Sequence, residues 1–214
     1  MTKIIAALNL KGGSGKTSMV INLAGVLHEQ KAKPVVFDLD PQRSASLWSK
    51  QGKKPFGFPV IEADLSSAAT FKQQLQDTKA GYILLDCPPQ LSEEAFVAAL
   101  IADLVLIPVT PSPLDLWAAV KAVATIQEAR QKRKSKLPKA VLVPSKLVKG
   151  TCLAKGILKS LKQLAEPISP ALYQRIAIPE ATIAGLTIGS YAKNSAGHKE
   201  FVSLCRYVKA QLNK

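Results

Sequence analysis

Residues 4–18 read Ile4-Ile-Ala-Ala-Leu8-Asn9-Leu-Lys11-Gly12-Gly13-Ser14-Gly15-Lys16-Thr17-Ser18, and a helical pattern follows through Gln30. The apolar opening reads as a strand buried on both faces. Glycines at 12, 13 and 15 let the backbone take positive φ and turn successive N–H groups inward beside a helix N-terminus, which makes an anion nest. Phosphate is its natural occupant. Lys16 would reach the β- and γ-phosphates and the Thr17 hydroxyl would ligate Mg²⁺, with Gly12, Gly13, Ser14, Gly15 and Ser18 completing the cradle. A glycine-rich loop is a weak signal alone; its position between a strand and a helix is what the mechanism requires.

Outward from this loop, short apolar runs alternate with longer helical stretches. Ile4–Leu8, Pro34–Leu39, Tyr82–Leu85, Leu104–Val109 and Ala140–Val143 are predicted strands; 17–30, 45–50, 66–77, 92–102 and 116–134 are predicted helices. Such alternation implies right-handed crossovers and a doubly wound α/β fold, a mostly parallel sheet flanked by helices. A length of 214 residues suits a single domain over 1–214. Ser92 is placed to cap a helix whose first turn holds Glu93 and Glu94, so those carboxylates read as capping charges rather than acid/base groups.

Two predicted strands end in acids. Phe37-Asp38-Leu39-Asp40-Pro41-Gln42-Arg43 closes the second, and a carboxylate at the C-terminal end of a parallel strand points into the ligand crevice. Asp38 is the candidate for orienting an attacking water, since phosphoryl transfer asks mainly for positioning and charge stabilisation. Asp40 is assigned to the metal shell or to the loop, and either acid can instead cap the following helix. The run Ile83-Leu84-Leu85-Asp86-Cys87-Pro88-Pro89 has a Walker-B pattern, in which Asp86 holds Mg²⁺ through water. Cys87, Cys152 and Cys205 lie far apart without CxxC spacing, and His28 and His198 lack metal-ligand spacing. Reduced thiols are expected, with neither a zinc site nor a disulfide framework.

The formal charge of +14 is uneven: residues 1–110 hold 11 Lys+Arg against 10 Asp+Glu, whereas 111–214 hold 18 against 5. An excess of that size favours a polyanionic partner, nucleic acid before an anionic membrane, over a merely solubilising surface. The run Arg130–Lys139 ends a predicted helix, where cations are favourable for local reasons, and that role is placed ahead of DNA contact. No apolar stretch reaches the ~18 residues that span a bilayer and no cleavable leader precedes the first strand, so a cytoplasmic, soluble protein is expected.

Lys11 at the head of the loop, the Asp38-Leu-Asp40-Pro41-Gln42 segment and the Asp86 strand together resemble the ParA/MinD family of deviant Walker-A P-loop ATPases, nearest its small partition and cargo-positioning members. The resemblance extends over nearly the whole chain. It implies ATP and Mg²⁺ as cofactors, slow partner-stimulated hydrolysis, and a homodimer that sandwiches ATP, with Lys11 reaching the other subunit's nucleotide. The stretch Leu104–Trp117 resembles the family's interface strand and loop, with Trp117 either an interface anchor or a core aromatic. Ile178-Pro179-Glu180 resembles a strand-to-loop segment beside the adenine, which assigns Pro179 to the base site. Scattered cations of the second half, namely Lys146, Lys149, Lys155, Lys159, Lys193, Lys199 and Arg206, become candidates for sequence-independent binding to nucleoid DNA, with an activating adaptor of ParB-like or McdB-like kind as the second partner. The competing reading is a MinD-like membrane ATPase of division-site placement; Leu204, Val208 and Leu212 have the helical spacing of a membrane face, but such a face normally packs on the sheet. The chain also ends soon after that helix, leaving no spare tail, so a membrane is disfavoured. Cys87 is the sole thiol near the switch segments, too few for the shared iron–sulfur cluster of one family branch. Arg43 departs from the glycine that many relatives carry after Asp-Pro-Gln.

Overall fold

The computed structural model describes residues 2–53, 55–65, 67–89 and 92–214. Strands β1 (Lys3–Ala7), β2 (Pro34–Asp38), β3 (Val60–Glu62), β4 (Tyr82–Asp86), β5 (Leu104–Val109) and β6 (Lys139–Pro144) form one parallel sheet in the order β3-β2-β4-β1-β5-β6. Helices α1 (Lys16–Glu29), α2 (Ser44–Gln51), α3 (Ala68–Asp77), α4 (Glu93–Ile101), α5 (Pro113–Arg133), α6 (Cys152–Leu161), α7 (Ala177–Ile183), α8 (Ile188–Tyr191) and α9 (Ala196–Leu212) cover it. The doubly wound expectation holds. Ser66, where α3 was expected to begin, lies outside the described residues, and α3 starts at Ala68 with Ser67 as its cap.

The apolar runs are continuous because each strand feeds two cores. In β1, Ala6 packs toward α3, α4, α5 and α6, whereas Ile5 and Ala7 pack toward α1, α2 and α9. Alternate residues of a pleated strand face opposite sides, so burial on both faces removes the polar alternation. Leu204, Val208 and Leu212 are buried in the second of these cores. The spaced apolar face of α9 is thus spent on the sheet.

Helix starts differ in a way that positions the site. Ser67, Ser92, Thr151 and Ser195 cap α3, α4, α6 and α9, each hydroxyl accepting from a first-turn N–H. The start of α1 is Gly15 at φ 96, with no side-chain cap. Its first-turn N–H groups are therefore open to a ligand.

At the far edge, α2 and α7 meet backbone to backbone. Gly185, at φ 65, lies so close to Gly52 that a Cβ on either would run into the other's main chain. Trp48 Nε1 donates to Leu186 O at 3.2 Å and Gln51 Nε2 to Ile183 O at 3.2 Å, fastening α2 to the end of α7 and the turn after it.

Candidate functional site

The site is assembled at the C-terminal ends of three adjacent strands. In register, Asp38 of β2 lies beside Asp86 of β4, and Asp86 lies beside Ala7 of β1, which runs into the glycine loop. Crevices at strand C-terminal ends, where the strand order reverses, are where doubly wound sheets bind ligands.

Asn9, 2% exposed, sets the loop. Its Nδ2 donates to Pro108 O of β5 at 2.6 Å and its Oδ1 accepts the Lys11 N–H at 2.9 Å. Gly13 at φ 75 and Gly15 at φ 96 take the left-handed bends expected of them, whereas Gly12 does not have positive φ. Lys16 folds back, donating to the carbonyls of Asn9 at 3.1 Å and Lys11 at 3.4 Å. Burial lowers the Lys16 pKa, opposed chiefly by Asp86. This lysine is thus bonded to the carbonyls of its own loop.

Asp86 is fully buried and, among the described residues, no donor is in bonding geometry on either oxygen. Burial pushes it up to about 7; the Thr17 hydroxyl acts against that rise and the Asp38 charge adds to it. Among the described residues, the buried side-chain oxygens without a partner are those of Ser14, Ser46 and Asp86 and one oxygen of Asp115. Each such group costs about 1–3 kcal/mol unless something bonds it. Two bare carboxylate oxygens beside a hydroxyl fit a hard divalent cation that takes oxygen ligands, and Thr17 and Asp86 are the residues that would hold it.

Asp38 is 4% exposed and occupied by backbone: Oδ1 accepts from Asp40 N at 3.2 Å and Oδ2 from Ser46 N at 2.8 Å. It thus caps α2 from outside the helix. Asp40 bonds the Gln42 N–H at 2.9 Å and shapes the loop. Arg43 sits at φ 52 and pairs with Glu62 of β3. A left-handed position ordinarily suits glycine, which explains the residue expected there and identifies Glu62 as what Arg43 gains.

Lys11 is half-exposed, its ammonium 2.5 Å from Asp115 Oδ2 in the first turn of α5. Asp115 is 1% exposed, so the lysine answers a buried charge. Trp117 is 63% exposed and lies in the same helix as exposed Leu114 and Val120, which makes it a surface residue and not a core aromatic. Pro179 is corrected in its setting: it lies in the first turn of α7, not at a strand exit. Proline fits there because first-turn N–H groups have no intrahelical acceptor.

The basic residues do not form one surface. Lys146 is exposed but reaches the glycine loop, where Nζ donates to Gly13 O at 2.8 Å. Lys149 covers the Tyr173 ring at 5.1 Å. Lys155 and Lys159 are exposed on α6, on the α5 side of the sheet, whereas Lys199 and Arg206 are exposed on α9, on the α1 side, and Lys193 is exposed just before it. The run 130–139 is largely structural, as expected. Arg130 grips Glu166 at 2.6 and 3.3 Å and Pro138 O at 2.9 Å, Arg133 donates to Ala102 O at the end of α4, and Lys139 donates to Gln211 O. Cys87 and Cys205 are buried in opposite cores, and burial pushes both thiols up; Cys152 is exposed.

Residues 5–188 match the model of the CobQ/CobB/MinD/ParA nucleotide binding domain. The chain belongs to this ParA/MinD nucleotide-binding family. Among ParA/MinD relatives, it is 31% identical to maintenance of carboxysome distribution protein A of Halothiobacillus neapolitanus, across 86% of this chain and 85% of that one. It is 27% identical to the chromosome-partitioning ATPase Soj of Thermus thermophilus, across 98% and 96%. Its fold matches apo McdA of Cyanothece at a TM-score of 0.81 with 18% identity, covering 97% of this chain and 100% of that one. The cell division ATPase MinD of Pyrococcus furiosus matches at 0.79 with 21% identity, covering 98% and 99%.

The bond of Asp115 to Lys11, and that of Lys146 to the glycine loop rather than to DNA, are the contacts that the sequence does not show. The paired residues lie 104 and 133 positions apart. The one local signal was an acid just inside a proline-led helix start, a favourable dipole position in any helix.

Proposed function

We propose that this chain is an ATP-hydrolysing positioning protein that forms an ATP-sandwich homodimer, binds nucleoid DNA without reading sequence, and lets go when an adaptor stimulates hydrolysis. Its cargo would be a plasmid, a chromosome locus or a protein body such as a carboxysome, in the bacterial cytoplasm. The carrying observation is the set of buried, unpartnered oxygens on Ser14 and Asp86 beside the open start of α1, because unmet bonding capacity at a phosphate-shaped loop calls for a nucleotide and its cation. The names of the relatives, which include a carboxysome distribution protein and a chromosome-partitioning ATPase, support the positioning role.

In this reading Lys16 leaves the carbonyls of Asn9 and Lys11 for the terminal phosphates, and Thr17 and Asp86 hold Mg²⁺. The cation would neutralise charge developing on the transferred phosphoryl group. Asp38 orients the attacking water once its bonds to the Asp40 and Ser46 N–H groups loosen, which ties hydrolysis to movement of the loop ahead of α2. Lys11 exchanges Asp115 for the other subunit's nucleotide, and exposed Leu114, Trp117 and Val120 contribute to the interface. Exposed Lys155, Lys159, Lys193, Lys199 and Arg206 remain candidates for phosphate contact, whereas Lys146 is better assigned to the loop.

Retention on random-sequence duplex DNA and on anionic liposomes, each with ATP and with ADP, tests the reading. DNA binding should require ATP and weaken steeply with salt. Binding to liposomes alone, or DNA binding indifferent to nucleotide, overturns it. In sedimentation with ATP, Lys11→Ala should remain monomeric; an unchanged dimer removes Lys11 from the interface.

A further inference from the structure

At the foot of the sheet, opposite the glycine loop, lies a pocket of about 800 Å³ that no part of the nucleotide chemistry uses. Its floor is apolar: the buried Phe58 ring, with Pro34, Val35 and Pro59. Lys31, Lys33 and Lys79 line it together with His28 and Glu29. The single carboxylate in this set is engaged elsewhere, since His198 Nδ1 accepts the Asn194 N–H and Nε2–H is thereby left to donate to Glu29 at 2.9 Å. Among the described residues, no ion pair holds Lys31, Lys33 or Lys79.

The lysines are held by backbone rather than scattered. Lys31 lies at φ 56 just past the end of α1, where its N–H bonds His28 O at 2.8 Å, and Lys33 lies at φ 50 two residues on. A position after a helix end with positive φ ordinarily takes glycine or asparagine, and a lysine there is strained. The Lys33 carbonyl accepts the Gly81 N–H at 3.0 Å, and Gly81 presses on Ala32 O so closely that a Cβ would not fit. That contact brings the loop carrying Lys79 beside the α1–β2 turn. Phe58 is fixed in turn by His28, ring centroids 6.1 Å apart, and by Phe56 at 5.2 Å.

We propose that this pocket docks an acidic segment of a partner protein, one apolar side chain seated on Phe58 and flanking carboxylates on Lys31, Lys33 and Lys79. Charge complementarity selects the occupant: three unpaired cations around an apolar floor match a carboxylate-rich peptide carrying a hydrophobic residue. Duplex DNA meets the cations but offers nothing to a recessed apolar floor.

The test uses the full chain and a fluorescein-labelled peptide of alternating glutamates around a central phenylalanine, read by anisotropy. Saturable binding that weakens with salt is expected, reduced at least tenfold in Lys33→Glu/Lys79→Glu and at least threefold in the milder Lys31→Gln. Replacing the peptide's glutamates by glutamine should abolish it, and replacing its phenylalanine by glycine should weaken it severalfold. Lys134→Glu/Lys136→Glu, a charge change of the same size elsewhere, should leave it intact. Equal binding by the pocket variants and the wild type, or no binding by the wild type, overturns the proposal. So does a pocket variant that loses duplex DNA while keeping the peptide.

Discussion

The start of α1 and the end of α5 are both places where charge and helix dipole meet, yet they are opposites. The last turn of α5 holds Arg130, Lys132 and Arg133, and each has found a protein partner: Glu166, Glu128 and the Ala102 carbonyl. Among the described residues, the first turn of α1 holds one lysine bonded only to its own loop, an uncapped helix end, and Asp86 opposite with both oxygens bare. The densely charged region is structural, whereas the sparsely charged one is built for a ligand. A site is marked by bonding capacity that the chain does not satisfy, not by the number of charges.

The largest test of that contrast is Asp38→Ala. It should cut ATP turnover by about 100-fold or more while ATP binding changes little, because positioning groups act mainly in the transition state; turnover within twofold of wild type would return Asp38 to a purely capping role. Next comes Asp86→Asn in protein free of nucleotide and Mg²⁺. Burial raises the wild-type carboxyl to about 7, against about 3.9 when unfolded. Folding therefore favours the protonated form, and its stabilisation, complete below pH 4, is lost as pH rises through 7. The variant should flatten that decline and be the more stable protein at pH 8. Thermal melts from pH 5 to 8 measure it, and a variant less stable at every pH would mean that Asp86 has partners after all.

Smaller effects probe the satisfied side. Arg130→Ala breaks a mostly buried bidentate pair, and should lower stability by about 1.5 kcal/mol without changing retention on DNA. If DNA binding fell and stability did not, the end of α5 would belong with the sites. Arg43→Gly should be the mildest: relief of the left-handed backbone and loss of the Glu62 pair nearly cancel, leaving a change within about 1 kcal/mol in denaturant titration.

Much of this architecture is legible before any coordinates, for a physical reason. Strands buried on both faces write themselves as unbroken apolar runs, and a phosphate cradle needs its glycines in a fixed order. β3 escapes because Val60–Glu62 is a three-residue, half-exposed edge pairing only with β2. Short α7 and α8 have too few turns to establish a period. The pairing of Lys11 with Asp115 is invisible for another reason, since it exists only where β5 lies beside β1. Pro179 shows the reverse error, where a residue that often stops a strand instead opens a helix.

The contact of Gly52 with Gly185 has a mechanical consequence. With no side chains between them, and one indole and one amide bond beside the contact, the ends of α2 and α7 are held at a spacing set by main chain alone. A methyl group at either glycine would be a wedge driven into that joint.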